Sequence, residues 1–116
     1  MSFVYVVQHH LRYDPTLGEL VPRYDLKPAE RWGRLRFVLD AKTTLQRPEV
    51  VIAKMDLVLS SFTDQDYLLP IGNPVLIGWA IAIAAANNEG RVKVLVWSGR
   101  DQCYTTAESR LPIQHT

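Results

Sequence analysis

The stretch from Leu68 to Ala86, LLPIGNPVLIGWAIAIAAA, constrains this chain more than any other, because its nineteen residues carry one polar side chain, Asn73. Its hydropathy is that of a membrane span, which needs about 20 apolar residues. The turn residues Pro70, Gly72, Asn73 and Pro74 interrupt it. They leave a short strand before them and only about a dozen helical residues after, too few to cross. The segment therefore reads as strand, turn and helix. Asn73 suits an N-cap, Pro74 the first helical position, and Asn87, Asn88 and Gly90 the helix end. Helix 74–87 is apolar on nearly every side, which predicts a buried central helix.

Around this element the rest of the chain falls into order. Residues 3–9, FVYVVQH, have the β-branched and aromatic content of a strand, and Asp14, Pro15 and Gly18 mark a turn. Residues 19–24 can return as a second strand, which Pro22 would confine to a sheet edge. Pro28-Ala-Glu-Arg-Trp forms a short helical turn stopped by Gly33. The strand 34–39 then alternates, with Leu35, Phe37 and Leu39 on one face and Arg34, Arg36 and Val38 on the other. Pro48 opens a helix over 48–62, in which Val51, Met55, Val58, Leu59 and Phe62 share one face. Strands follow at 66–71 and 91–97, and the turn Ser98-Gly99-Arg100-Asp101 leads to a hairpin strand at 102–107. The remainder, 108–116, reads as a loosely held tail.

Strand 34–39, helix 48–62, strand 66–71, helix 74–87 and strand 91–97 make a β-α-β-α-β run, whose crossovers are right-handed and parallel. A doubly wound sheet is buried on both faces and its strands are continuously apolar, whereas 34–39 and 91–97 alternate. Val92, Val94 and Val96 face one way, and Arg91, Lys93, Leu95 and Trp97 the other. The expected fold is a single α/β domain over 1–116. It is a two-layer sandwich of a mixed sheet with helices mainly on one face, the other face being open to solvent or to a partner.

Net charge is +1, so no overall field draws the chain to nucleic acid or anionic lipid. Residues 1–47 carry +3, 48–90 carry −4 and 91–116 carry +2, so any basic surface is built by the two ends. Cys103 is the single cysteine, which removes intrachain disulfides and cysteine-rich metal sites and fits a reducing cytosol. The start, MSFVYVVQHH, has neither the basic region nor the long apolar region of a signal peptide.

Two surfaces are candidate sites. Open α/β sheets bind ligands beyond the carboxyl ends of their parallel strands. Here those ends are Asp40 to Thr44, Gly72-Asn73 and Ser98 to Arg100. Lys42, Thr43, Gly72, Asn73, Ser98 and Arg100 would then hold a phosphate or carboxylate at the start of helix 74–87, although no glycine-rich phosphate loop is present. The other surface is the polar sheet face. If strands 34–39 and 91–97 lie near each other, Arg34, Arg36, Arg91 and Lys93 gather there beside Trp97 and either Tyr104 or Tyr24. Basic and aromatic side chains interleaved in this way suit an acidic protein surface or single-stranded nucleic acid. Adjacent His9 and His10 point apart on a strand and do not chelate one metal. Asp64 and Asp66 cap or solvate a turn, Cys103 has no activating neighbour, and no serine has a triad context. No catalytic residue, metal site or cofactor is expected.

At FTDQDYLLPIGNPVLIGWAIAIAAANNEGRVKVLVWSGRDQCY, residues 62–104, the chain resembles a family of small uncharacterised proteins of tailed bacteriophages, marine ones among them. The shared features are the acidic turn Asp64 to Asp66, the strand Tyr67 to Gly72, the turn Asn73-Pro74, the Ala-rich helix Ala80 to Ala86, and Gly90 to Lys93 leading to Trp97. The family carries no assigned activity. The resemblance implies a phage accessory protein acting in the host cytoplasm. Together with the open sheet face it gives a non-enzymatic module that binds a host or phage protein, or a second copy of itself as a homodimer. A nucleotide or other anion at the Gly72-Asn73 turn is the alternative, and single-stranded nucleic acid on the basic face a further one.

Overall fold

Four consecutive buried residues, Val4 to Val7, require a strand covered on both faces. That strand, β1 (Phe3–Gln8), is the second in a five-stranded sheet, between β4 (Arg34–Leu39) and β5 (Tyr67–Leu69). The computed structural model describes residues 1–113. Beyond β5 come β6 (Arg91–Ser98) and β7 (Cys103–Arg110), giving the order β4-β1-β5-β6-β7. All neighbours are parallel except β6 and β7, which pair antiparallel along their whole length. Counted along the chain, this is the 2-1-3-4-5 order of one class of doubly wound sheet.

The mixed sheet, its β-α-β-α-β core and the helices on one face are as the sequence predicts. Helices α1 (Pro48–Leu59) and α2 (Pro74–Asn87) cover the face of Phe3, Tyr5, Val7, Val38, Leu68 and Val92. The opposite face is not open across its width. Between β1 and β4 the chain forms a hairpin, β2 (Leu11–Asp14) with β3 (Glu19–Pro22), and then a 3-10 turn at Lys27–Arg31. Leu26, Ala29 and Trp32 from this connection pack on Val4, Val6, Leu69, Leu95 and Tyr104. Strand β3 therefore belongs to a small separate ribbon, not to an edge of the main sheet.

The end of α1, the extent of β7 and the burial of α2 differ from the sequence reading. Helix α1 stops at Leu59, and Phe62 reaches the core from the following turn. Strand β7 runs on to Arg110, and Leu111 and Ile113 pack against the core, so the first part of the tail expected to be loose is held. His115 and the rest of that tail, 114–116, lie outside the described residues. Helix α2 buries only Leu76, Ala80, Ala84 and Ala85, while Val75, Gly78, Ala82 and Ala86 form an exposed, uncharged stripe.

At the amino edge of the sheet, Asp66 is 3% exposed. Its Oδ1 accepts the Phe3 N–H at 2.9 Å, and its Oδ2 accepts the N–H and hydroxyl of Thr63 at 2.8 and 2.9 Å. It thereby caps the turn before β5, as the sequence reading allows, and also ties that turn to the start of β1.

Candidate functional site

In a 2-1-3-4-5 sheet the ligand crevice falls outside the carboxyl ends of the two strands where the chain reverses its direction of winding. Those strands are β1 and β5, so the crevice is bounded by Gln8, His9 and His10 on one side and by Pro70 to Asn73 on the other. The sequence alone points instead to the ends of β4, β5 and β6.

Gln8 occupies the middle of this edge. Its Oε1 accepts the Asn73 N–H at 3.0 Å, while its Nε2 donates to the carbonyls of Thr43 at 3.1 Å and Asp40 at 3.4 Å. One side chain thus clamps the ends of β1 and β4 to the start of α2. Gly72 makes room for it: with φ at +126°, a Cβ there would lie 2.5 Å from the Gln8 Cβ and 2.7 Å from its Oε1.

Of the residues expected to hold an anion, Lys42, Thr43, Gly72 and Asn73 do line one hollow, joined by Gln8, His9 and His10. Ser98 and Arg100 do not line it. They lie in the β6-β7 turn, where the Ser98 hydroxyl is engaged with Asp101. Two amides at the start of α2 are also taken, the N–H of the capping Asn73 by Gln8 and the Val75 N–H by the Asn73 side chain. Asp40 Oδ1 accepts the Lys42 N–H and the Thr43 hydroxyl, closing that loop on itself.

The basic cluster expected on one sheet face does not form. β1 and β5 stand between β4 and β6, and the register opposite Tyr5 puts Arg36 on the helix-bearing face. There Arg36 donates to the Tyr5 hydroxyl at 3.4 Å and lies over the rings of Phe3 and Tyr5. Arg34, two residues earlier, shares that face. Arg91, Lys93 and Trp97 belong to the opposite face. Lys93 Nζ sits 4.3 Å above the centre of the Tyr67 ring. Arg91 pairs with Asp64 at 3.0 Å and with Glu89 at 3.5 Å.

Hydrogen bonds from Arg91 and then Asn88 hold the Asp64 carboxyl below the usual aspartate range, with the guanidinium charge adding to the effect. A depressed folded-state pKa stabilises above the unfolded value, and the stabilisation is lost as pH falls through the folded one. The stability difference between wild type and Arg91→Ala should accordingly be largest at neutral pH and shrink as Asp64 protonates. Denaturant melts at pH 7 and at pH 3 read it, and a difference that grows on acidification would contradict the pairing.

What the fold does assemble is a groove of about 840 Å³ on the sheet face away from the helices. Leu69, Leu95 and Tyr104 form its floor, and Trp97, Tyr24, His10, Arg23 and Asp25 stand around it. Trp97 is 45% exposed and Tyr24 46%, although Trp97 meets Tyr104 edge-on at 5.0 Å and Tyr24 meets His10 at 5.6 Å. Burial, and then the carboxylate of Asp25, push the Tyr104 phenol pKa up, so its hydroxyl stays protonated through neutral pH. Trp97 was singled out from sequence. Tyr24 and Tyr104 were possible neighbours, while Arg23, Asp25 and His10 were not connected to it. The signal that could have found them is Val4 to Val7: a central β1 brings the segment after it, His10 to Asp25, across this face.

Fold and site together define a small α/β protein with a doubly wound strand order and an aromatic groove at its carboxyl edge. The chain belongs to the family described as Phage Pam3 gp32-like protein, whose model matches residues 2–111. It is thus a phage-family protein, and the match takes in the N-terminal strand and the hairpin as well as the segment that first suggested phage relatives. No curated protein and no solved structure matches it. Among the described residues no helix is long and apolar enough to cross a membrane, and no group of His, Cys, Asp or Glu is disposed to hold a metal.

Proposed function

We propose that this phage-family protein works by binding, taking an apolar segment of a host or phage protein into the groove rimmed by Trp97 and Tyr24, in the host cytoplasm. The observation that carries the reading is Trp97 itself, a large half-exposed aromatic over a floor of buried apolar side chains. Interface energy concentrates in Trp, Tyr and Arg side chains that a partner desolvates. Arg23 and Asp25 at the margin supply the polar rim that fixes a bound segment's orientation. Arg34 and Arg36, on the far face, have no part in it. Arg91 and Lys93 share the groove's face but are engaged with Asp64 and Tyr67.

The test is capture from host-type bacterial lysate, with and without nuclease, read by mass spectrometry. Wild type and the Arg34→Glu/Arg36→Glu double variant should retain the same stoichiometric, nuclease-resistant protein. Trp97→Asp should weaken that retention by roughly thirtyfold, the scale of an interface hot spot. A partner that survives Trp97→Asp sinks the reading, and capture that disappears with nuclease assigns the surface to nucleic acid.

A second reading, a nucleotide or other anion at the Gly72-Asn73 turn, has in its favour that Lys42, His9 and His10 border that hollow. The engaged amides of Asn73 and Val75 weigh against it. An empty pull-down combined with a nucleotide-induced thermal shift that Lys42→Ala abolishes would move the function there.

A further inference from the structure

We infer that two copies of this chain associate by pairing β7 with β7 about a two-fold axis, Ala107 lying opposite the partner's Ala107, so that the two sheets become one. Strand β7 is one of the two outer strands of the sheet, the other being β4, and bonds to β6 over all eight of its residues without a break in register. Thr105 to Arg110 are all exposed. Sheet edges are normally blunted by proline, charged side chains (lysine above all), a bulge or brevity. Residues 103–110, CYTTAESR, contain neither proline nor lysine, and their two charges, Glu108 and Arg110, are of opposite sign.

Symmetry then limits the register. A two-fold axis normal to the sheet keeps each side chain on its own face only if one residue sits opposite its own copy, which leaves Thr106, Ala107 and Glu108 as central choices. Glu108 at the centre sets carboxylate against carboxylate, which is destabilising. Thr106 at the centre carries Arg110 past the end of the partner strand, toward the partner's Gln102. Ala107 at the centre overlaps 104–110 fully. It places Thr106 against the partner's Glu108, Thr105 against the partner's Ser109, and Arg110 against the partner's Tyr104. Arg110 gains most, since within its own hairpin it lies opposite Arg91, a like charge. Because Tyr104 also floors the aromatic groove, pairing brings the partner's Arg110 to the end of that groove.

Light scattering or sedimentation over a concentration series reads the association. Wild type should approach twice 13.2 kDa. Ala107→Arg, which sets two arginines on the axis of an otherwise exposed edge, should weaken the dimer at least about tenfold. Thr106→Lys faces the partner's Glu108 twice per dimer and should tighten association by roughly two- to thirtyfold, with Thr106→Glu weakening it by a similar factor. The gain with lysine cannot come from misfolding. With Thr106 on the axis, both charged variants would weaken association instead, and the register would be overturned. A mass of 13.2 kDa throughout overturns the inference outright. So does a dimer indifferent to Ala107→Arg, whose interface would then be the uncharged outer stripe of α2.

Discussion

Asp66→Ala should lower the unfolding free energy by about 3 to 5 kcal/mol, the scale of a broken buried hydrogen-bond network, and the melting midpoint by roughly 10 °C or more. The carboxylate is 3% exposed and receives three donors, one from Phe3 and two from Thr63. Hydrogen bonds to a charged group contribute about 1.5 to 3 kcal/mol each, and leaving the donors buried without an acceptor adds a desolvation penalty. Asp66→Asn keeps the shape but offers one acceptor oxygen and turns an N–H toward donors, so it should recover only part of the loss. Urea unfolding with an unchanged m-value reads both variants. A loss below about 1 kcal/mol for Asp66→Ala would mean that the start of β1 is held by packing alone. Asp66 stands at the amino edge of the sheet and Trp97 near the carboxyl edge, so folded Asp66→Ala should still bind whatever the groove binds.

That Asp66 is the buried partner and Asp64 the exposed one was not legible locally. Both sit in one acidic turn, and what separates them is an amide 63 residues away in the chain. The same holds for the basic residues. Alternation assigned Arg36 and Arg91 to faces of their own strands correctly, but whether the two faces coincide depends on strand order. Parallel insertion of β1 between β4 and β5 decided that against a common cluster. The order itself left a trace. By the criterion that read 34–39 and 91–97 as half-buried, the unbroken apolar run of β1 asks for cover on both faces, hence a central place. The helices were legible for different reasons, α1 by Pro48 in its first turn and one apolar face, α2 by the Asn73 cap and Pro74. The outer stripe of α2 was not, because Gly78, Ala82 and Ala86 are equally at home against a neighbour or against water.

Gly72→Ala should remove about 2 to 4 kcal/mol, from a strained backbone and a displaced neighbour together. At φ +126° a side chain is unfavourable wherever it points, and here it points 2.5 Å from the Gln8 Cβ. Rotating the Gln8 side chain relieves only the 2.7 Å contact with its Oε1; the Cβ contact requires β1 and the turn at Gly72 to move apart, which strains the bonds of Gln8 to Asn73, Thr43 and Asp40 together. Hydrogen exchange should therefore quicken at Asn73, the amide that Gln8 protects, and the 40–43 loop should loosen with it. Gly78→Ala, the same substitution where a Cβ meets nothing within 4 Å, should instead stabilise by up to about 1 kcal/mol. If Gly72→Ala proved as harmless as Gly78→Ala, Gln8 would not be clamped and the carboxyl edge would be an open crevice, with the Asn73 amide free for an anion. If it is as damaging as the contacts require, that edge is closed by the protein's own side chain, in keeping with the proposal that binding falls to the aromatic groove beside it.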